Sequence, residues 1–218
     1  KTYGKQDMFV RSVAVSMYLC PERHSVDNAI SEGASVMITT PCGCAMGTQI
    51  VPGGAVSDYA GNQGDLSPGA INRPTDFYWG GNGTGVIISS RPAGDENDIG
   101  RDWLDKVGLS DVSDGTSNTL MVGETFVPRG KDKETPYNGV AYYGRHLTNF
   151  ARIAGPGVPL AHSQDDQRAN LYSFGSSHAG VVQFAMSDGS VRGISTSIST
   201  RVLGNLANRS DGETVGEF

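Results

Sequence analysis

The clearest pattern of apolar and polar positions lies near the end of the chain. Residues 181–186, VVQFAM, read as a strand, Asp188-Gly189 as a tight turn, and Ser190 to Ile194 as the returning hairpin partner. Ser197 to Leu206 then predicts a helix with Ile198, Val202, Leu203 and Leu206 on one face. Further strands are predicted at residues 33–40, at Gly85 to Ser89, at Thr116 to Glu124 after the Asp114-Gly115 turn, and at Gly139 to Tyr143. Residues 5–19 mix helical and strand spacing; they predict a short helix leading to Cys20 and stopped by Pro21, which disfavours helix in the residue before it. Asp98 to Lys106 predicts one or two helical turns. Residues 41–54, 55–72 and 153–170 are dense in turn formers and read as loops. No repeat of fixed period is present. The expectation is a β-rich α+β fold: one domain over residues 1–218, with an antiparallel sheet, long loops and a short N-terminal helix.

Composition supports strands and turns over long helices. The chain of 218 residues holds 30 Gly and is 37 % hydrophobic and 18 % charged. Glycine weakens helices through backbone entropy. The net charge is −6, the isoelectric point is about 5.1, and no run of Lys or Arg stands out, so the electrostatic footprint of a nucleic-acid partner is missing. No apolar run is long enough to span a bilayer. The opening, Lys1-Thr2-Tyr3-Gly4, reads as the start of a processed or truncated product.

The cysteines are Cys20, Cys42 and Cys44. Cys42-Gly43-Cys44 is C-x-C, without the second pair of a zinc site. The expected pairing is a disulfide from Cys20 to Cys42 or to Cys44, worth about 3 kcal/mol by loop closure. It points to an oxidising compartment.

Two stretches carry most of the polar pattern. In FGSSHAGVVQFAMSDGSVR, residues 174–192, His178 and Asp188 fall at opposite ends of the predicted hairpin. A strand of that length spans roughly 20 Å, so the two should not touch. His178 is expected to order its loop, and Asp188 to make an Asx turn before Gly189. In DVSDGTSNTLMVGET, residues 111–125, the oxygen-bearing Asp111, Asp114, Asn118 and Glu124 are calcium candidates, although the EF-hand spacing is absent. The alternative is a turn around Asp114-Gly115 whose side chains cap backbone donors. A third polar stretch, VSDYAGNQGD, contains Asp58 and Asp65, from which an oxygen-rich cation site can be drawn although no spacing fixes it; Tyr59 and Asn62 are expected to pack and cap. His24, His146, His162 and His178 allow a Ser/His/Asp triad to be drawn, but no G-x-S-x-G elbow exists, and the chain is read as a non-enzyme.

In this order the stretches YLCPERH (18–24), VSDYAGNQGD (56–65), VSDGTSNTLMVGET (112–125), FGSSHAGVVQFAMSDGSVR (174–192) and RVLGNLANRSDGETV (201–215) resemble the large pilin-like proteins of planctomycete-type bacteria. Those proteins carry a prepilin N-terminal cleavage and methylation segment and a C-terminal H-x(9)-D-G domain of unassigned function. Val181 stands where the family has a second glycine after the histidine. The resemblance implies a structural or assembly component of a type IV pilus or a type II secretion-like pseudopilus. Its partners would be other pilin-like subunits, met through an apolar N-terminal helix, and the inner membrane before assembly. It implies a membrane-anchored place in the cell envelope, periplasmic or extracellular, with no required cofactor and calcium as the candidate ion. The rival expectation is a surface solute- or glycan-binding module using Tyr59, Phe77, Tyr78 and Trp79; a hydrolase ranks last.

Overall fold

A computed structural model of the chain describes residues 3–39, 45–66, 83–89, 105–144, 147–213 and 215–216. Two sheets dominate. In the first, β1 (Ile30–Thr39) and β2 (Ala45–Ser57) form a long antiparallel hairpin, paired from Ile30↔Ala55 to Thr39↔Ala45, and β5 (Gly139–Val140) joins the other edge of β2. The second sheet has the order β6-β3-β4-β7-β8, built from β3 (Tyr59–Gly64), β4 (Leu120–Glu124), β6 (Ala151–Ile153), β7 (Val181–Met186) and β8 (Val191–Ser195). Its pairings are antiparallel except β3 with β6. The fold is therefore β-rich α+β, as the pattern predicts.

The core lies on one face of the second sheet. Along β7, Val182, Phe184 and Met186 point inward and their neighbours do not, which is the period of a half-buried strand. Against them packs α2 (Thr200–Ala207) through Leu203, Leu206 and Ala207. The helix begins where Ser199 accepts a hydrogen bond from the Val202 N–H, an N-cap that satisfies one of its open donors. Phe174 meets Phe184 edge-on at 5.0 Å between ring centres. At the hairpin tip Gly189 takes φ +85°, and the Asp188 carboxylate accepts from Ser190 N and Oγ, the expected Asx turn.

Several expectations fail. Residues 45–57 and 59–64 are strand, not loop. Its glycines mark close approach: a Cβ at Gly61 would stand 2.6 Å from Ile87 Cγ2. Ile87 itself, on the expected strand Gly85 to Ser89, forms no ladder there; that segment folds over β3, with Gly85 N bonded to Gln63 O and Ile87 N to Asn62 O. The N-terminal helix is only α1 (Met8–Arg11), capped by Asp7, between short 3-10 turns at Tyr3–Lys5 and Ser16–Tyr18; β-branched Val13 and Val15 follow it. The strand from Gly139 shrinks to β5. Residues 98–104 of the expected helical turns lie outside the described residues, and Asp105 and Lys106 are not helical.

Candidate functional site

β2 and β3 are almost one strand, and Asp58 is the bend between them, at the passage from the first sheet to the second. Its backbone holds both sides: Asp58 N donates to Tyr18 O at 2.8 Å, and Thr125 N donates to Asp58 O at 2.9 Å. Its side chain is fully buried. The carboxylate accepts from Cys20 N at 2.9 Å, His24 Nδ1 at 2.9 Å and Arg23 Nη1 at 3.2 Å. Burial pushes this carboxyl upward, but the His24 hydrogen bond, the Arg23 charge and the Cys20 N–H outweigh it and hold the group below the usual carboxylate range. Arg23 also donates to Thr125 O at 2.8 Å and to Ser177 Oγ at 3.4 Å. With Nδ1 turned to Asp58, the buried Nε2 of His24 has no hydrogen-bond partner among the described residues.

Beside this junction three further side chains meet. His178 Nε2 lies 3.5 Å from Cys20 Sγ and 3.3 Å from Glu124 Oε1. The other Glu124 oxygen accepts from Gln183 N at 2.7 Å. Cys20 and Glu124 are buried, and His178 is partly exposed. Burial, then the hydrogen bond to Glu124, pushes the Cys20 thiol up to about 11. Burial, then the neighbouring Cys20, Glu124 and Asp58, pushes the Tyr59 hydroxyl up to about 12.

The stretches singled out in the sequence are those that meet here. Cys20, Arg23 and His24 come from 18–24, Asp58 and Tyr59 from 56–65, Glu124 and Thr125 from 112–125, and Ser177 and His178 from 174–192. Their convergence could not be read from local spacing, and the roles of Arg23, His24 and Asp58 at the junction were missed. The order of the motifs was the available signal.

Other expected sites are not assembled. Cys20 is a free thiol facing His178 and Glu124; Cys42 and Cys44, its expected disulfide partners, lie outside the described residues. The calcium set is pulled apart because β4 separates its members. Glu124 ends the strand beside His178, whereas Asp114, before the strand, accepts from Asp211 N and Gly212 N. Asp111 accepts from Gly108 N, and Asn118 donates its backbone N–H to Gly115 O, with Gly115 at φ +98°. These are turn and cap roles. Asp58 and Asp65 sit beyond opposite ends of β3, and Asp65 bonds Thr84 and Asn208. His178 and Asp188 are at opposite ends of the β7–β8 hairpin, as expected. Among the described residues no serine hydroxyl bonds a histidine ring; His146 lies outside them.

Tyr59 also lines a shallow cavity of about 200 Å³ with Tyr18, Val122, Ala141 and Phe150. Phe77, Tyr78 and Trp79 lie outside the described residues. Among the described residues no helix is long and apolar enough to cross a membrane. A family model described as "Protein of unknown function (DUF1559)" matches residues 2–201. No curated protein and no solved structure matches.

Proposed function

We propose that this chain, which belongs to the DUF1559 family, is a structural, non-enzymatic component of a pilin-like surface assembly in the cell envelope. One observation carries the reading: large apolar side chains left in solvent concentrate in the N-terminal segment. Phe9 is 81 % exposed and Met17 74 %, and Met8, Val10, Val13 and Tyr18 are exposed with them. Exposed apolar side chains gathered in one segment are the material of an association site. The segment is held against the first sheet, with Arg11 Nη1 donating to Gly53 O at 2.8 Å, so it presents a fixed surface. The motif residues support the same reading, since Asp58, Asn62, Asp114 and Asp188 bind backbone groups and hold shape.

The test uses the full native gene product, fractionated between membrane, filament and soluble pools. Assembly into a membrane or filament pool is expected, and Phe9→Ser with Met17→Ser should reduce it while leaving the circular dichroism spectrum unchanged. A full-length product that stays soluble and monomeric defeats the proposal. A second reading rests on the cavity beside Tyr18, Tyr59 and Phe150, whose aromatic faces suit a small solute or a sugar ring. A glycan array and a small-solute thermal-shift panel test it, and silence in both removes it.

A further inference from the structure

Three different metal-ligating groups converge from distant parts of the chain. Cys20 follows the Ser16–Tyr18 turn, Glu124 ends β4, and His178 precedes β7; their ligand atoms all lie within 4.8 Å of one another. We infer that Cys20 Sγ, His178 Nε2 and a Glu124 carboxylate oxygen form a binding site for a zinc-class divalent cation.

Geometry is the first support. A tetrahedral zinc ion, about 2.3 Å from sulfur and about 2.0–2.1 Å from nitrogen or oxygen, sets its ligand atoms about 3.3–3.6 Å apart. The Sγ to Nε2 distance is 3.5 Å and the Nε2 to Oε1 distance is 3.3 Å. Two of the three edges between the ligand atoms are thus near tetrahedral length and the third is no longer than 4.8 Å, and all three atoms come from side chains whose backbones are fixed by sheet or turn contacts. His178 N bonds Ser176 Oγ, and Cys20 N bonds Asp58.

Charge is the second support. The Glu124 side chain is 1 % exposed, and among the described residues its ion-pair partner is His178, with no Lys or Arg. The nearby Arg23 is engaged with Asp58, Thr125 and Ser177. A buried carboxylate without a permanent counter-charge is costly. The two charges of a divalent cation, with that of Arg23, balance Asp58, Glu124 and the Cys20 thiolate.

The donor set selects the metal class. A thiolate and an imidazole favour zinc-like ions over calcium or magnesium, which prefer oxygen. On binding, the Cys20 thiol gives its proton to solvent and the sulfur–metal bond replaces S–H, with no change in oxidation state. Three protein ligands leave a fourth position for water or an incoming group. The His178 side chain is 32 % exposed, which leaves the ion a route in.

The test is cobalt(II) and zinc binding to the metal-free chain under reducing conditions. It uses the parent, the Cys42→Ser/Cys44→Ser pair and His178→Ala. One cobalt per chain is expected, with a thiolate-to-cobalt charge-transfer band in the parent and in the cysteine pair. The band should be lost in His178→Ala, whose folding is checked by its thermal melt. X-ray absorption of the zinc-loaded cysteine-pair variant adds a readout independent of the histidine variant, with one sulfur and otherwise nitrogen or oxygen neighbours expected. No uptake by the parent, a band that survives His178→Ala, a band that vanishes with Cys42 and Cys44, or a zinc shell without sulfur overturns the inference.

Discussion

Replacing Asp58 by alanine should be among the most damaging single changes to this chain. The substitution leaves Arg23, whose side chain is 2 % exposed, with a buried charge and no carboxylate. Breaking one side of a buried pair costs about 3–5 kcal/mol. Cys20 N–H and His24 Nδ1 lose the same acceptor, and a buried donor left unsatisfied costs about 1–3 kcal/mol. These losses share one site and do not simply add, so about 5 kcal/mol is expected. Against the roughly 5–15 kcal/mol that holds a typical domain, that is a third or more. Urea titration of chelator-treated protein, followed by far-ultraviolet circular dichroism, measures it. Asp165→Ala is the control, because it removes a carboxylate bonded to Arg129 at 2.7 Å but with both side chains more than half exposed. Its midpoint should match the parent's, since water replaces such contacts. Arg23→Met with Asp58→Leu should recover part of the loss, because it removes the orphaned charge. If Asp58→Ala lowers the midpoint no more than Asp165→Ala does, the reasoning about the junction is wrong.

Acid should destabilise the metal-free chain through the same group. The Asp58 carboxyl lies lower in the fold than its usual 3.8, so its contribution is complete above that value and fades as pH falls through it toward the folded one. Urea midpoints against pH should show the fall, and Asp58→Asn should flatten it. Gly123→Ala should cost about 1–3 kcal/mol, because the new methyl group meets the Phe184 ring and lies 2.9 Å from Phe174 Cδ1; an unchanged melting temperature would show that the rings yield freely. Asn62→Ala should cost about 3 kcal/mol, since its side-chain amide donates to Leu120 O and Ala207 O, both at 2.8 Å. Hydrogen exchange should then speed first in α2, and uniform protection would contradict that linkage.

The elements legible in the sequence are those whose cause is local. The Val182, Phe184 and Met186 alternation, the Asp188-Gly189 tip and the Ser199-capped helix each depend on neighbours within a few positions. β2 and β3 were not legible, because Gly53, Gly54, Gly61 and Gly64 read as turns, whereas in the fold glycines there allow close neighbours such as Ile87 beside Gly61. Glu124 was grouped with Asp111, Asp114 and Asn118 by nearness in the chain. The extended β4 carries it away from them to His178. Cys20 and His178 are separated by 158 positions, a distance at which periodicity carries no information.

The near-continuity of β2 and β3 has a mechanical consequence. Tension entering along the hairpin would reach the five-stranded sheet through main-chain covalent bonds, without first unravelling a linker. It would then pass sideways into β4 and β6 as shear across their ladders. The bend that such a pull would straighten is the one braced by Arg23, His24 and the Cys20 amide, so those bonds would oppose its straightening.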